Sequence, residues 1–168
     1  MQLAVRGSNS LPIIRELLQN SSVEIRWWAA RSLAEIHDSQ VTTLLLQALN
    51  DQASEVRQCA ALGLRQQPDA GAIPQLINTL SDPDRLLARL AGDALIATGE
   101  EAVPALIEVM QNGSQIARLE TVRALSEIGD SRAIPSLFNA LDEDSVVLEH
   151  WAGEGLQKMG VGMVFFKP

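Results

Sequence analysis

The stretch AARSLAEI, residues 29–36, decides the fold because it comes back four times. Aligned on Leu33 it reappears as AALGLRQQ at 60–67, AGDALIAT at 91–98, TVRALSEI at 121–128 and AGEGLQKM at 152–159. The anchoring residues Leu33, Leu64, Leu95, Leu125 and Leu156 are 31, 31, 30 and 31 residues apart. Upstream of each, a second anchor recurs at the same intervals: Pro12, Thr43, Pro74, Pro104 and Pro135, within LPIIRELL, TLLLQAL, IPQLINTL, VPALIEVM and IPSLFNAL. Two independent anchors with one period establish an internal repeat, the sequence signature of a stacked architecture.

Within each unit a proline opens a short apolar helix, where its fixed φ and missing N–H do no harm. A polar break follows (QNSS, NDQAS, SDPD, QNGS, DEDS), and its Ser, Asp and Asn residues suit the cap of a longer, Ala-rich second helix. No segment alternates with period two, so strands have no support. The reading is all-α: a right-handed α-solenoid of about five helical hairpins with a period of ~31 residues. The repeats fall at about 12–38, 43–69, 74–100, 104–130 and 135–160 in a single domain, 1–168, with a tail at 161–168. One such hairpin cannot bury its apolar face, whereas a stack can. Close stacking needs small residues, and two columns supply them: Ala29, Ala60, Ala91, Thr121, Ala152, and Ser32, Gly63, Ala94, Ala124, Gly155.

Composition narrows the function classes. The 168 residues are 46% hydrophobic and 20% charged, which suits a packed globular protein. A net charge of −8 disfavours nucleic acid as a partner, since the whole chain repels a phosphate backbone. No run is long and apolar enough to cross a bilayer, and MQLAVRGSNS lacks the regions of a signal peptide, so a cytoplasmic location is expected. The one cysteine, Cys59, excludes an internal disulfide, and no Cys/His cluster suggests a metal site. Cys59 is followed by apolar AALGL and is expected to be a small buried hydrophobe.

The period, the Pro-initiated first helices and the EIRWWAARSL and EVRQCAALGL openings of the second helices resemble HEAT repeats of the short type found in phycobilisome lyases. The resemblance covers residues 12–159. It implies that a ladder of Asp/Asn and Arg links neighbouring repeats, which assigns Arg26, Arg57 and Arg118 to the framework; Ala88 and Glu149 depart from that column. It also implies that the second helices line the concave face.

Taking Ile25, Ala29, Ser32, Leu33 and Ile36 as the buried stripe of the first such helix, Trp28 falls at its margin and Trp27 points away. Trp28 is therefore expected to be framework and Trp27 to look into the groove. The Trp27 column continues as Gln58, Arg89, Leu119 and His150, and beside it runs Arg31, Leu62, Asp93, Arg123 and Glu154. A strip mixing Trp, Leu and Arg has the chemistry of a binding site. Catalysis finds less support. His150 with Glu154 is an ordinary i, i+4 helix pair, and no GxSxG, Walker, Rossmann or HExxH motif is present.

Two functions remain open. The resemblance implies a protein similar to phycobilin lyase subunits, which attach or detach the open-chain tetrapyrrole of phycobiliproteins. Its partners would be a phycobiliprotein subunit or a second lyase-type subunit, with phycocyanobilin or another bilin as a transient ligand rather than a resident cofactor. Arg31, Arg89 or Arg123 would then pair with the propionates, Trp27 would stack on the rings, and Asp93 or Glu154 would accept from pyrrole N–H groups. The alternative is a non-catalytic scaffold whose groove binds a partner protein. The apolar tail VGMVFFKP is expected to fold back over the last hairpin, and MQLAVRGSNS to form an irregular N-terminal cap.

Overall fold

A computed structural model describes residues 10–161. The expectations for MQLAVRGSN and for the tail beyond Val161 lie outside the described residues. Among the described residues the chain forms ten α-helices and no strand, arranged as five hairpins. These are α1 (Leu11–Leu17) with α2 (Val23–Leu33), α3 (Val41–Ala48) with α4 (Ser54–Gln66), and α5 (Ile73–Thr79) with α6 (Arg85–Thr98). Then follow α7 (Val103–Asn112) with α8 (Gln115–Ile128), and α9 (Ile134–Leu141) with α10 (Val146–Lys158). The all-α solenoid read from the period is the fold observed.

Local chemistry explains the boundaries. A proline stands in the first turn of α1, α5, α7 and α9. In the polar breaks, Asp84 accepts from the Leu86 and Leu87 N–H groups, Ser114 from Ala117 and Ser145 from Leu148, so three second helices start on a side-chain cap. Gly129 takes a left-handed conformation (φ 71°) at the end of α8, which stops that helix cleanly.

The second helices pack directly on one another along the whole stack, while the first helices meet less extensively. The row of second helices is therefore the inside of the curve. Small residues permit this: Ala29, Ala60, Ala91, Thr121 and Ala152 are all buried. The approach is close at Gly155 of α10, where an added Cβ would lie 2.9 Å from the Cα of Ser126 on α8. Ser126 sits there because its Oγ donates to the Trp151 carbonyl at 2.6 Å, tying the two helices together at their contact.

At the hairpin turns, arginines bind each unit to the next. Arg26 donates from Nε and Nη2 to the Asp51 carboxylate of the following hairpin at 2.7 and 2.9 Å, and from Nη1 to the carbonyls of Asn20 and Ser21. Arg57 repeats the carbonyl contacts with Asp51 and Gln52 and approaches Asp82 at 3.9 Å. Arg118 pairs with Glu143. The ladder arginine is missing between the third and fourth hairpins, where Ala88 replaces it, and there the Ser81 and Ser114 hydroxyls of the two turns lie 3.0 Å apart.

Gly155→Ala is expected to destabilise. A helical Gly→Ala change ordinarily gains about 1 kcal/mol, but a Cβ against backbone costs on the order of 1–3 kcal/mol, so a net loss of up to about 2 kcal/mol should appear as a lower Tm. A raised Tm would show that α8 and α10 do not approach so closely. The ladder should also have a pH signature. The Asp51 carboxyl is held below the ordinary carboxylate range chiefly by its bonds from Arg26, against the opposing effect of burial and with help from the Ala53 N–H. Its contribution is complete above the unfolded value of about 3.9 and is lost as pH falls through the lower folded value. Asp51→Asn should lower the Tm at pH 7 and flatten its decline on acidification. Parallel Tm–pH curves for the two proteins would remove Asp51 from the acid transition.

Candidate functional site: a cleft on the inner face

Helix phase decides what the inner face presents. In α2 the buried residues are Ala29, Ala30 and Leu33, with Ile36 buried just beyond, so the apolar stripe is centred nearer Ala30 than the pattern Ile25–Ala29–Ser32 suggests. Two assignments change with it. Trp28, expected in the framework, is 48% exposed, and Ile25, expected in the stripe, is 37% exposed. Trp27 is half-buried, packs against the core at its edge and turns its ring toward α4. The two indoles meet edge to face with centroids 4.8 Å apart, so Trp28 braces Trp27 from outside.

Between α2 and α4 lies a cleft of about 420 Å³. It gathers four of the expected groove residues, Trp27, Arg31, Gln58 and Leu62, together with Glu55 and Gln66. Cys59 and Gly63 form its floor. The glycine is set by packing beneath the cleft, since a Cβ there would press on the Leu45 side chain of α3. Burial raises the Cys59 thiol above its ordinary value, with the Arg31 charge opposing, so the group stays protonated and serves as apolar wall rather than nucleophile. The cleft thus offers a flat aromatic face, an apolar floor, one exposed guanidinium, one carboxylate and two carboxamides. That set suits a planar, partly apolar ligand edge bearing an acid.

Further along the face, three more expected residues meet in an ion cluster. Arg123 of α8 donates to Asp93 of α6 at 2.8 Å, to Glu120 at 3.0 Å and to the Arg89 carbonyl at 3.2 Å. Asp93 also lies 3.7 Å from Arg89 and 3.8 Å from Arg65. Arg123, expected to face the groove, is only 4% exposed and has its donors engaged, so it cements α6 to α8. Arg65 and Arg89 remain half exposed at the rim. Sequence columns missed Arg65 and Glu120, which lie outside the two columns chosen; an acid at 120 next to a wide arginine column was the available signal. Leu119 is half-buried against the core. His150 and Glu154 are exposed on α10, apart from both groups, with the His150 ring edge-on to Trp151 at 5.5 Å.

Among the described residues no group of three or more His, Cys, Asp or Glu could hold a metal ion, and no helix is long and apolar enough to cross a membrane.

The profile of the HEAT repeats family matches residues 1–65 and 73–157. Over 74 residues the chain is 39% identical to a phycocyanobilin lyase subunit beta of Pseudanabaena tenuis, covering 44% of this chain and 26% of that protein. Over 89 residues it is 38% identical to a phycobilisome maturation protein of Synechococcus elongatus, covering 53% and 42%. The chain therefore spans about a quarter of the first relative's length and about two fifths of the second's. The complex of CpcE and CpcF of phycocyanin lyase from Nostoc sp. superposes with a TM-score of 0.63 over 88% of this chain and 64% of that one, at 24% identity, which establishes likeness of fold.

Three substitutions check the arrangement by thermal melting. Trp28→Ala is expected to cost under about 1 kcal/mol, and Trp27→Ala about 1–3 kcal/mol because part of its ring is packed. Arg123→Ala should cost about 2–4 kcal/mol, since it leaves Asp93 and Glu120 without their shared partner. A Trp28→Ala protein less stable than Trp27→Ala would reinstate the phase read from the sequence alone.

Proposed function

This chain belongs to the HEAT-repeat family, and we propose that it serves phycobiliprotein maturation in a lyase-like role, its inner face binding a phycobiliprotein subunit together with the bilin that subunit carries. The observation that carries this reading is the Trp27–Arg31 cleft, an aromatic wall beside a guanidinium that no carboxylate among the described residues pairs. The similarity to a phycocyanobilin lyase subunit and to a phycobilisome maturation protein supports the client class.

A bilin is an extended conjugated chain with two propionates. In this reading a pyrrole ring stacks on Trp27 and a propionate pairs with Arg31. Glu55, which lines the same cleft, accepts from pyrrole N–H groups, a part for which Asp93 is less suited because three arginines already surround it. Arg65 and Arg89 at the rim are left for acidic groups of the client. The reading assigns positioning and binding to these residues and assigns no catalytic group. A lyase-type second subunit is the proposed companion, since the relative is itself named as one subunit of its lyase.

The test is a titration of the purified chain with phycocyanobilin, following bilin absorbance and tryptophan fluorescence. A changed absorbance band and quenched fluorescence are expected, with affinity reduced at least about tenfold by Trp27→Ala and by Arg31→Glu, the loss typical of an aromatic or arginine anchor. Trp28→Ala should bind as the parent does. Unchanged spectra, together with Trp27-dependent binding of an apo-phycobiliprotein subunit, would favour a protein-binding scaffold without bilin contact. Binding that ignores both cleft substitutions would move the site elsewhere.

A further inference from the structure

One polar side chain of the Trp27 cleft has its orientation fixed by the neighbouring hairpin. Gln58 of α4 lines the cleft and donates from Nε2 to Oδ2 of Asp84 at 2.8 Å. Asp84 is the cap of α6. Its Oδ1 accepts from the Leu86 and Leu87 N–H groups at 3.0 and 3.1 Å, which leaves Oδ2 for Gln58. Burial works against ionisation of Asp84, yet the bonds from Gln58 and from the Leu87 and Leu86 N–H groups, with the Arg57 charge, hold its carboxyl below the ordinary carboxylate range. At neutral pH it has no proton to donate, so the Gln58 amide meets it with the NH2 end and cannot turn over. The carbonyl end, Oε1, is what remains for the cleft, and among the described residues nothing donates to it.

The rest of the cleft is arranged around that acceptor. Gln58 occupies the Trp27 column one repeat on, so it stands at the level of the indole that turns toward α4. Arg31 lies one helical turn further along α2, about 6 Å at 1.5 Å per residue. Glu55, nearly one turn before Gln58, is exposed, with the Ser54 hydroxyl 3.4 Å away. An exposed carboxylate on a flexible side chain can follow a ligand, whereas Gln58 is half-buried and tied. Gln58 is therefore the acceptor that the fold itself holds in place.

We propose that Gln58 sets the hydrogen-bonding polarity of the cleft and that Asp84 is the residue that positions it. The site then takes a planar acid whose ring edge carries an N–H: the ring lies on Trp27, the acid meets Arg31, and the N–H donates to the Gln58 Oε1. A ring presenting an acceptor at that edge is disfavoured, because Gln58 cannot rotate to offer its NH2. The ligand class rests on the bilin reading, whose pyrrole N–H groups meet this demand; the polarity rests on the contact between Gln58 and Asp84. A residue of the third hairpin thus decides what a cleft between the first two accepts.

The test turns the amide over without removing it. In Asp84→Asn the side-chain oxygen still caps α6, since Asn and Asp are comparable caps. Its NH2 now faces Gln58, which turns to accept from it and points Nε2 hydrogens into the cleft. Phycocyanobilin is titrated into the parent, Asp84→Asn, Gln58→Met and the double variant, with Tm measured for each. Asp84→Asn should bind about tenfold more weakly at little change in Tm, the loss expected where a donor meets a donor. Gln58→Met, which leaves the cap untouched, should also weaken binding, and adding Asp84→Asn to it should change the affinity no further. Parent-like binding by either single variant overturns the proposal. So does an equal loss from Asp84→Asn in the Gln58→Met chain, which would place the effect of Asp84 in the fold of α6. In all these cases the bilin reading stands as long as the parent binds through Trp27 and Arg31. A parent that does not bind phycocyanobilin overturns that reading, and the ligand assigned here with it.

Discussion

The close approach of the second helices to one another is the constraint from which the rest follows. Helix axes can come together only where side chains are small, and the column Ala29, Ala60, Ala91, Thr121, Ala152 puts small residues at every such contact. Because the first helices carry no equivalent column, they stand further apart and the stack bends toward the second row. The curvature creates an inner face, and an inner face converts side chains from successive repeats into one surface. Thr121 shows the cost of the constraint. Its methyl fits where alanine fits, and its hydroxyl is buried without a partner, an expense of roughly 1–3 kcal/mol that the packing must offset.

Charge then decides how that inner face is divided. The chain is strongly acidic, yet its inner face carries Arg31, Arg65, Arg89 and Arg123. They are not equivalent. Arg123 is removed from solvent by Asp93 and Glu120 and acts as a strut between α6 and α8, a role that Gly92 permits, since a Cβ there would lie 2.7 Å from its Nη2. The strut draws Asp93 down and leaves Arg65 and Arg89 loosely held at the rim. Arg31 has no acidic partner within bonding distance among the described residues and opens into the Trp27 cleft. One continuous groove is thus split into an aromatic cleft and a cationic rim, with the ion cluster as the divide.

The sequence showed most of the architecture because repetition averages out local ambiguity. Pro12, Pro74, Pro104 and Pro135, the leucine anchors and the small-residue columns each recur, so a wrong reading at one place is corrected at four others. The ladder arginines were legible for the same reason. What was not legible is what occurs once. The phase of α2 was misplaced because its stripe was read from Ile25, an apolar residue that is buried in every equivalent position and uncovered in the first hairpin alone. Arg123 was misread for a related cause. A column marks a direction on a helix, while burial also depends on whether a neighbouring glycine lets the side chain lie down, and Gly92 belongs to another column.

The two ends of the stack carry this distinction furthest. Identical columns end in different chemistry: at the last hairpin the ladder arginine has become the exposed Glu149, while at the first hairpin the column that is buried at Cys59 and Leu90 begins with Trp28, which is 48% exposed. Trp28 leans edge-on against Trp27 at 4.8 Å, so the exposed ring at the end of the stack backs the half-buried ring that walls the cleft.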